Sequence, residues 1–136
     1  MDIFSGVALV GNKRYYSKVK PAEKDWYVVM NPIEIRARNL DTNKDELVRK
    51  GDGDLQASDG KFLYYRITGD NWDYSFYRCD MNGKNPEKIY YAKKAVGNNM
   101  VNVNYVHYAT EEANANPIYQ VNIKTKKKKK SVQINI

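Results

Sequence analysis

The 136-residue chain predicts an all-β fold built from three copies of a four-stranded antiparallel unit. Three observations predict it. The chain carries 12 Tyr and 2 Trp, and Val and Ile far outnumber Leu; such side chains suit a pleated, half-buried surface. No segment sustains a 3.6-residue apolar period, so almost no helix is expected. One motif also occurs three times, as Ile35-Arg-Ala-Arg-Asn-Leu40-Asp-Thr-Asn-Lys44, Phe76-Tyr-Arg-Cys-Asp-Met81-Asn-Gly-Lys84 and Ile118-Tyr-Gln-Val-Asn-Ile123-Lys-Thr-Lys126. Its starts lie 41 and 42 residues apart, a fixed period that marks a repeat architecture.

Each unit resolves into four short strands. In the first, Gly6 to Val10 opens, Tyr15-Tyr16-Ser17 marks the second strand, the motif from Ile35 is the third, and Glu46 to Arg49 closes. Between Tyr16 and Ile35 stand 18 residues where the later units have 10 and 9, an insertion that includes Pro21, Trp26 and Pro32. In the second unit the strands are Asp54 to Ala57, Lys61 to Ile67, Tyr74 to Met81 and Glu87 to Tyr91. Asp59-Gly60 and Asn82-Gly83 separate two of the pairs, and Asp-Gly and Asn-Gly between alternating runs are strong hairpin signals. In the third they are Val101 to Val103, Tyr105 to Ala109, Pro117 to Ile123 and Ser131 to Ile136. Four antiparallel strands at this period describe a β-propeller blade. The chain is then one repeat domain, 1–136, with blades at approximately 1–50, 51–95 and 96–136.

The second-strand motif appears as Tyr15-Tyr16, Leu63-Tyr64-Tyr65 and Val106-His107-Tyr108. The third-strand turn appears as Asn39-Leu40-Asp41, Asp80-Met81-Asn82-Gly83 and Asn122-Ile123-Lys124. Together they resemble the blades of YWTD-type six-bladed propellers, as in low-density-lipoprotein receptors, and a bacterial family of propeller-like repeat domains. No unit keeps the family's Trp at the second motif position. The resemblance implies a protein-binding module, extracellular or at the cell surface. Three blades make half of a six-bladed ring, and blade edges are hidden by circular repetition. The expected remedies are a homodimer that completes the ring or the remainder of a longer chain.

Net charge is +7, but six of the 23 basic residues form one run, Lys124 with Lys126, Lys127, Lys128, Lys129 and Lys130. Basicity is therefore local. As a functional feature the run would take a polyanion, glycan or nucleic acid. The plainer reading places it in the turn between third and fourth strands, where solvated Lys discourages edge pairing. No aromatic residue interleaves with it, which disfavours nucleic acid.

Cys79 is the one cysteine, so no internal disulfide and no cysteine-based zinc cluster can form. No apolar run approaches the ~20 residues of a membrane span, and the start shows neither basic n-region nor h-region. Asp41, Asn43, Asp45 and Glu46 superficially resemble a calcium loop, yet Glu46 stands where an EF-hand requires Gly. His107 and Cys79 are each unique and sit within strand motifs; a nucleophilic pair without a third orienting group is the weaker reading. No phosphate loop or His-Glu metal motif occurs, and no cofactor is indicated.

Tyr16, Tyr65 and Tyr108 are expected between blades, each hydroxyl with a partner. Trp26, Tyr27, Trp72 and Tyr74 fall in or beside the loops joining second to third strands, where exposed aromatic side chains anchor binding surfaces. The sequence thus favours a non-catalytic module or scaffold for a protein or carbohydrate ligand. A polyanion-binding module is the alternative, and a hydrolase-type enzyme a distant third.

Overall fold

The computed structural model describes residues 4–24, 27–112 and 116–131, with backbone alone for 4, 5, 23, 24, 27–30 and 98. Twelve strands run β1 (Phe4–Val10), β2 (Lys13–Lys24), β3 (Tyr27–Asn39), β4 (Asp45–Lys50), β5 (Asp54–Ser58), β6 (Phe62–Thr68), β7 (Tyr74–Asp80), β8 (Glu87–Ala92), β9 (Ala95–Val101), β10 (Tyr105–Thr110), β11 (Ile118–Asn122) and β12 (Lys128–Lys130). They form three separate four-stranded sheets, each a meander in chain order. No helix occurs among the described residues. The all-β, bladed expectation is met.

The three sheets share one register. Tyr15 pairs with Ala37, Tyr64 with Arg78 and His107 with Gln120; one step on, Tyr16 pairs with Arg36, Tyr65 with Tyr77 and Tyr108 with Tyr119. A further step joins Ser17 to Ile35, Arg66 to Phe76 and Ala109 to Ile118. Because strand side chains alternate between faces, each blade has a forward face, toward the next blade in the chain, and a rear face. Tyr15, Tyr64 and His107 point forward with Ile35, Phe76 and Ile118; Tyr16, Tyr65 and Tyr108 point to the rear.

The motif that repeats has a backbone reason. Asn39 Oδ1 accepts from the N–H groups of Asp41 and Thr42, at 2.9 and 3.1 Å, and Asn122 Oδ1 from those of Lys124 and Thr125, at 2.9 and 3.0 Å. In all three copies the N–H of this residue also reaches across the turn, Asn39 to Lys44 O, Asp80 to Lys84 O and Asn122 to Lys127 O. Asn and Asp suit this position because their short side chains bond the backbone two residues on.

Two apolar clusters fill the junctions between blades. Tyr15, Ile35 and Ala37 of blade 1 pack on Leu55, Leu63, Tyr65 and Cys79 of blade 2. Tyr64, Phe76, Ile89 and Tyr90 of blade 2 pack on Val106, Tyr108, Val121 and Ile123 of blade 3. Stacked rings cross the second junction from Phe76 to Tyr90 (5.3 Å), Tyr90 to Tyr108 (3.9 Å) and Tyr108 to Tyr119 (5.3 Å). At the first junction the buried Ser17 hydroxyl donates to Gly53 O at 2.8 Å and accepts from Leu55 N at 2.7 Å. The inner strands β1 and β5 approach so closely that a Cβ on Gly6, at φ +70°, would lie 1.9 Å from Leu55 O.

Four expectations need correction. The insertion after Tyr16 is no loop: it lengthens the β2–β3 hairpin, which stays paired from Lys13↔Asn39 to Lys24↔Tyr27. Its Pro32 lies beside a register shift at Lys18/Val19, where a strand tolerates a residue without an N–H. The first strand of blade 3 is β9, ending at Val101 where 101–103 was expected. Its last strand is Lys128–Lys130 rather than Ser131 to Ile136, whose final five residues lie outside the described ones. Finally, Tyr16 and Tyr65 differ from expectation. Tyr16 faces the rear of blade 1, outside both junctions described above, and its hydroxyl donates to Asp45. Tyr65 is fully buried yet its hydroxyl has no protein partner; the Arg49 guanidinium stands over its ring at 4.9 Å. Burial pushes the Tyr65 phenol up to about 12.

Candidate functional site

The aromatic residues singled out by sequence part company in the structure. Trp26 lies outside the described residues, and Tyr27 is the first residue of β3, with its side chain outside them too. Tyr74 opens β7 with the Arg66 guanidinium 4.5 Å above its ring. Trp72 occupies the β6–β7 turn at φ +60°, 75% exposed. A bulky residue in the left-handed region is unusual. Gly69 and Asp73 close the turn beneath it through Gly69 N–H to Asp73 O at 2.8 Å. A Cβ on Gly69 would sit 2.2 Å from the Asp73 carboxylate, so a larger residue there would push that side chain aside.

Trp72 and Tyr74 border a cavity of about 430 Å³ whose other wall is Lys94 to Gly97, at the start of blade 3. A second cavity, about 380 Å³, adjoins it through the shared Lys94 and Glu111, and continues past Tyr91, Tyr108 and Tyr119 to Lys128. Together they form one groove at the end of the junction between blades 2 and 3. Lys94 holds φ +116°, and its carbonyl accepts from Glu111 N–H at 2.9 Å, tying the β8–β9 and β10–β11 connections together. Backbone held in a sparsely populated region tends to gather at binding sites; here two such residues, Trp72 and Lys94, line one cavity.

The charged groups at the far end are already engaged. Glu112 accepts from Lys130 Nζ at 2.9 Å and from Tyr119 Oη at 2.7 Å. The Lys130 ammonium, then the phenol, hold its carboxyl below the usual range. Lys128 donates to Tyr91 O at 2.9 Å and stands over the rings of Tyr90 and Tyr108, at 6.0 and 5.8 Å; burial lowers its pKa. Burial raises the Tyr108 phenol to about 12. The groove therefore offers neutral phenols, an exposed indole and the ammonium groups of Lys93 and Lys94, a surface suited to recognition.

A larger cavity, about 480 Å³, opens at the opposite end of the same junction, lined by Ala57, Ser58, Asp59, Lys61 and 101–103. It holds no aromatic ring. Asp59 is committed to its own turn, accepting from Lys61 N, Phe62 N and Tyr64 Oη.

The lysine run is split by the strand it joins. Lys128 and Lys130 pair opposite Val121 and Tyr119 and turn toward blade 2, whereas Lys129, opposite Gln120, turns to the forward face. Lys126 donates to Glu87 of blade 2 and to Ile123 O. Lys124 lies in the turn proper, and Lys126 and Lys127 lead from it into β12. Placing the whole run in the turn is thus corrected: a pleated strand cannot present consecutive side chains on one face.

Cys79 and His107 do not meet. Cys79 is buried in the junction of blades 1 and 2, where burial raises its thiol to about 11, while His107 stands on the forward face of blade 3. In the calcium-like stretch, Asp45 accepts from Tyr16, from Arg36 Nε at 2.6 Å and from Arg38 Nε at 3.2 Å, and Asp41 from Asn12 at 2.9 Å. Lys94 and Glu111, central to the groove, escaped sequence reasoning because they are 17 residues apart in chain and meet only where β9 and β10 pair, one step beyond Thr110↔Ala95.

No family model matches the chain, and no curated protein matches it. Solved structures do. The β-propeller domain of the Trilobed protease from Pyrococcus furiosus, with an open velcro topology, superposes with TM-score 0.64 at 13% identity, over 96% of this chain and 43% of that one. The acylaminoacyl peptidase of Pyrococcus horikoshii gives 0.67 at 10%, over 96% and 25%. A chain of a nidogen–laminin complex gives 0.65 at 10%, over 99% and 50%. The chain spans half or less of each of them. Identities this low speak for the fold alone: these are the blades of a β-propeller, three of them in succession.

Proposed function

We propose that this chain is a non-catalytic binding module whose ligand seat is the groove between blades 2 and 3. One observation carries the reading: Trp72 is 75% exposed on a left-handed turn, beside two adjoining cavities walled by both blades. An indole held out of the core with its backbone fixed is a preorganised anchor. The ligand is a protein or carbohydrate with an apolar face for the ring and polar groups for Lys93, Lys94 and Glu111.

Glycan and peptide arrays probed with the labelled chain test this. A hit should lose about tenfold or more in affinity in Trp72→Ala, with the thermal midpoint unchanged because the side chain is exposed. An unaltered affinity would remove the groove from the function. A polyanion reading has one observation behind it, that the ammonium groups of Lys124, Lys127 and Lys129 make no hydrogen bond or ion pair among the described residues. Heparin retention that collapses between about 50 and 200 mM salt would support it, and a flat response would remove it.

A further inference from the structure

The junctions inside the chain show what a forward face becomes when a blade covers it. Ile35 and Phe76, at the same register position in blades 1 and 2, are both 0% exposed; Ile118, their counterpart in blade 3, is 48% exposed. Tyr15 and Tyr64 are buried beside them, whereas His107 in that column is half-buried. Met100, opposite His107, is 72% exposed on the same face. The rear of blade 1 mirrors this state. Leu9 and Leu47 are 69% and 50% exposed there, opposite Arg14 and Arg36 and around Tyr16. In blades 2 and 3 the counterparts of Tyr16, which are Tyr65 and Tyr108, lie within the inter-blade clusters.

We infer that the forward face of blade 3, centred on Ile118, Met100 and His107, docks on the rear face of blade 1 in a second copy of this chain, two copies closing one six-bladed ring. The partner is specified by what each face lacks. The forward face lacks a rear face to pack on, and this chain owns one on which Leu9 and Leu47 are exposed around Tyr16, itself 3% exposed beneath its own blade's Arg14 and Asp45. The chemistry matches too. The inner junctions set cations over rings, as Arg49 of blade 1 over Tyr65 and Lys128 of blade 3 over Tyr90. Arg14, Arg36 and Arg38 on the rear of blade 1 would meet Tyr105 and His107 in the same way. A two-fold pair would have two identical junctions and no free face.

Sedimentation equilibrium of the 136-residue chain from about 1 to 100 µM, a span that brackets a micromolar dissociation constant, reads the outcome directly. The mass expected is twice 15.8 kDa and no more. Ile118→Glu and Leu9→Glu each place a charge in both junctions of the pair and should weaken it about 100-fold or more. Their far-ultraviolet dichroism and thermal midpoint as monomers should match the parent, since both residues are exposed in one copy. Mixed, the two variants should recover a heterodimer by native mass spectrometry, because one junction between them is unaltered. A mass of 15.8 kDa throughout would overturn the inference in favour of further blades or another protein on these faces. So would masses that grow with concentration, or a pair broken by Ile118→Glu but not by Leu9→Glu.

Discussion

A buried hydroxyl adds a polar fastening to the apolar junction between blades 1 and 2. Ser17 is fully buried and its Oγ bonds both Gly53 O and Leu55 N, the backbone that leads into β5. Removing it strands a buried donor and a buried acceptor, which costs about 1–3 kcal/mol. Ser17→Ala should therefore lower the urea midpoint without changing the m-value, and an unchanged midpoint would show that the bonds carry no net weight. The same residue illustrates what sequence reading misses. In the sequence Ser17 only follows the Tyr pair of the second-strand motif. Its partners are 36 and 38 residues away, and nothing local in the sequence signals them. Trp72 was legible for the opposite reason: its neighbours Gly69, Asp70 and Asn71 announce a turn, and a large ring on a turn has little of its own strand to hide behind.

At the level of strands, the second blade was legible almost to the residue, because Asp59-Gly60 and Asn82-Gly83 punctuate it sharply. β9 and β12 were not. Ala95 to Asn99 includes Gly97 at φ +75° and two Asn, poor strand formers that pair only because β10 stands beside them. Lys128–Lys130 is a strand for the same tertiary reason, held by Tyr119, Gln120 and Val121. β4 has a different fastening. Asp45 at its start is drawn in two directions: burial raises its carboxyl, but bonds from Tyr16, Arg36 and Arg38 together bring it below the usual 3.8. A folded-state pKa below the unfolded one stabilises fully above the unfolded value and is lost as pH falls through the folded value. Asp45→Asn should thus be less stable than the parent at pH 7, and the gap should narrow as pH drops below about 4. Parallel denaturation series at both pH values check this; a gap that is constant with pH would place the Asp45 contribution outside ionisation.

For the whole molecule, repetition of register explains why three blades could be read from sequence while their closure could not. The period lives in local turn chemistry, which every unit repeats. Closure depends on the two end faces, and the column Ile35, Phe76 and Ile118 is apolar in covered and exposed blades alike. Only exposure separates Ile118 from Ile35 and Phe76. The two questions, which ligand the groove takes and what covers the ends, are separable in experiment because Trp72 lines the junction between blades 2 and 3, whereas Ile118 lies on the face of blade 3 turned away from that junction.

The turn at Asn82-Gly83 has a consequence for the molecule's chemical ageing. Asn-Gly is the dipeptide most open to deamidation, since the glycine nitrogen is unhindered when it attacks the side-chain amide; Asn is counted among the thermolabile residues. Here the Gly83 N–H is committed to Asp80 O at 2.9 Å, and Asn82 Oδ1 accepts from Lys84 N at 3.1 Å. A Cβ on Gly83 would lie 2.0 Å from Val48 O of blade 1, so an isoaspartyl link, with its longer backbone, has no room there. Peptide mapping should find the one-dalton gain at Asn82 slowly in the native chain and quickly in urea. Where it does form, it should pry the first junction apart, so that storage damage to this protein would begin as a loosening between blades 1 and 2.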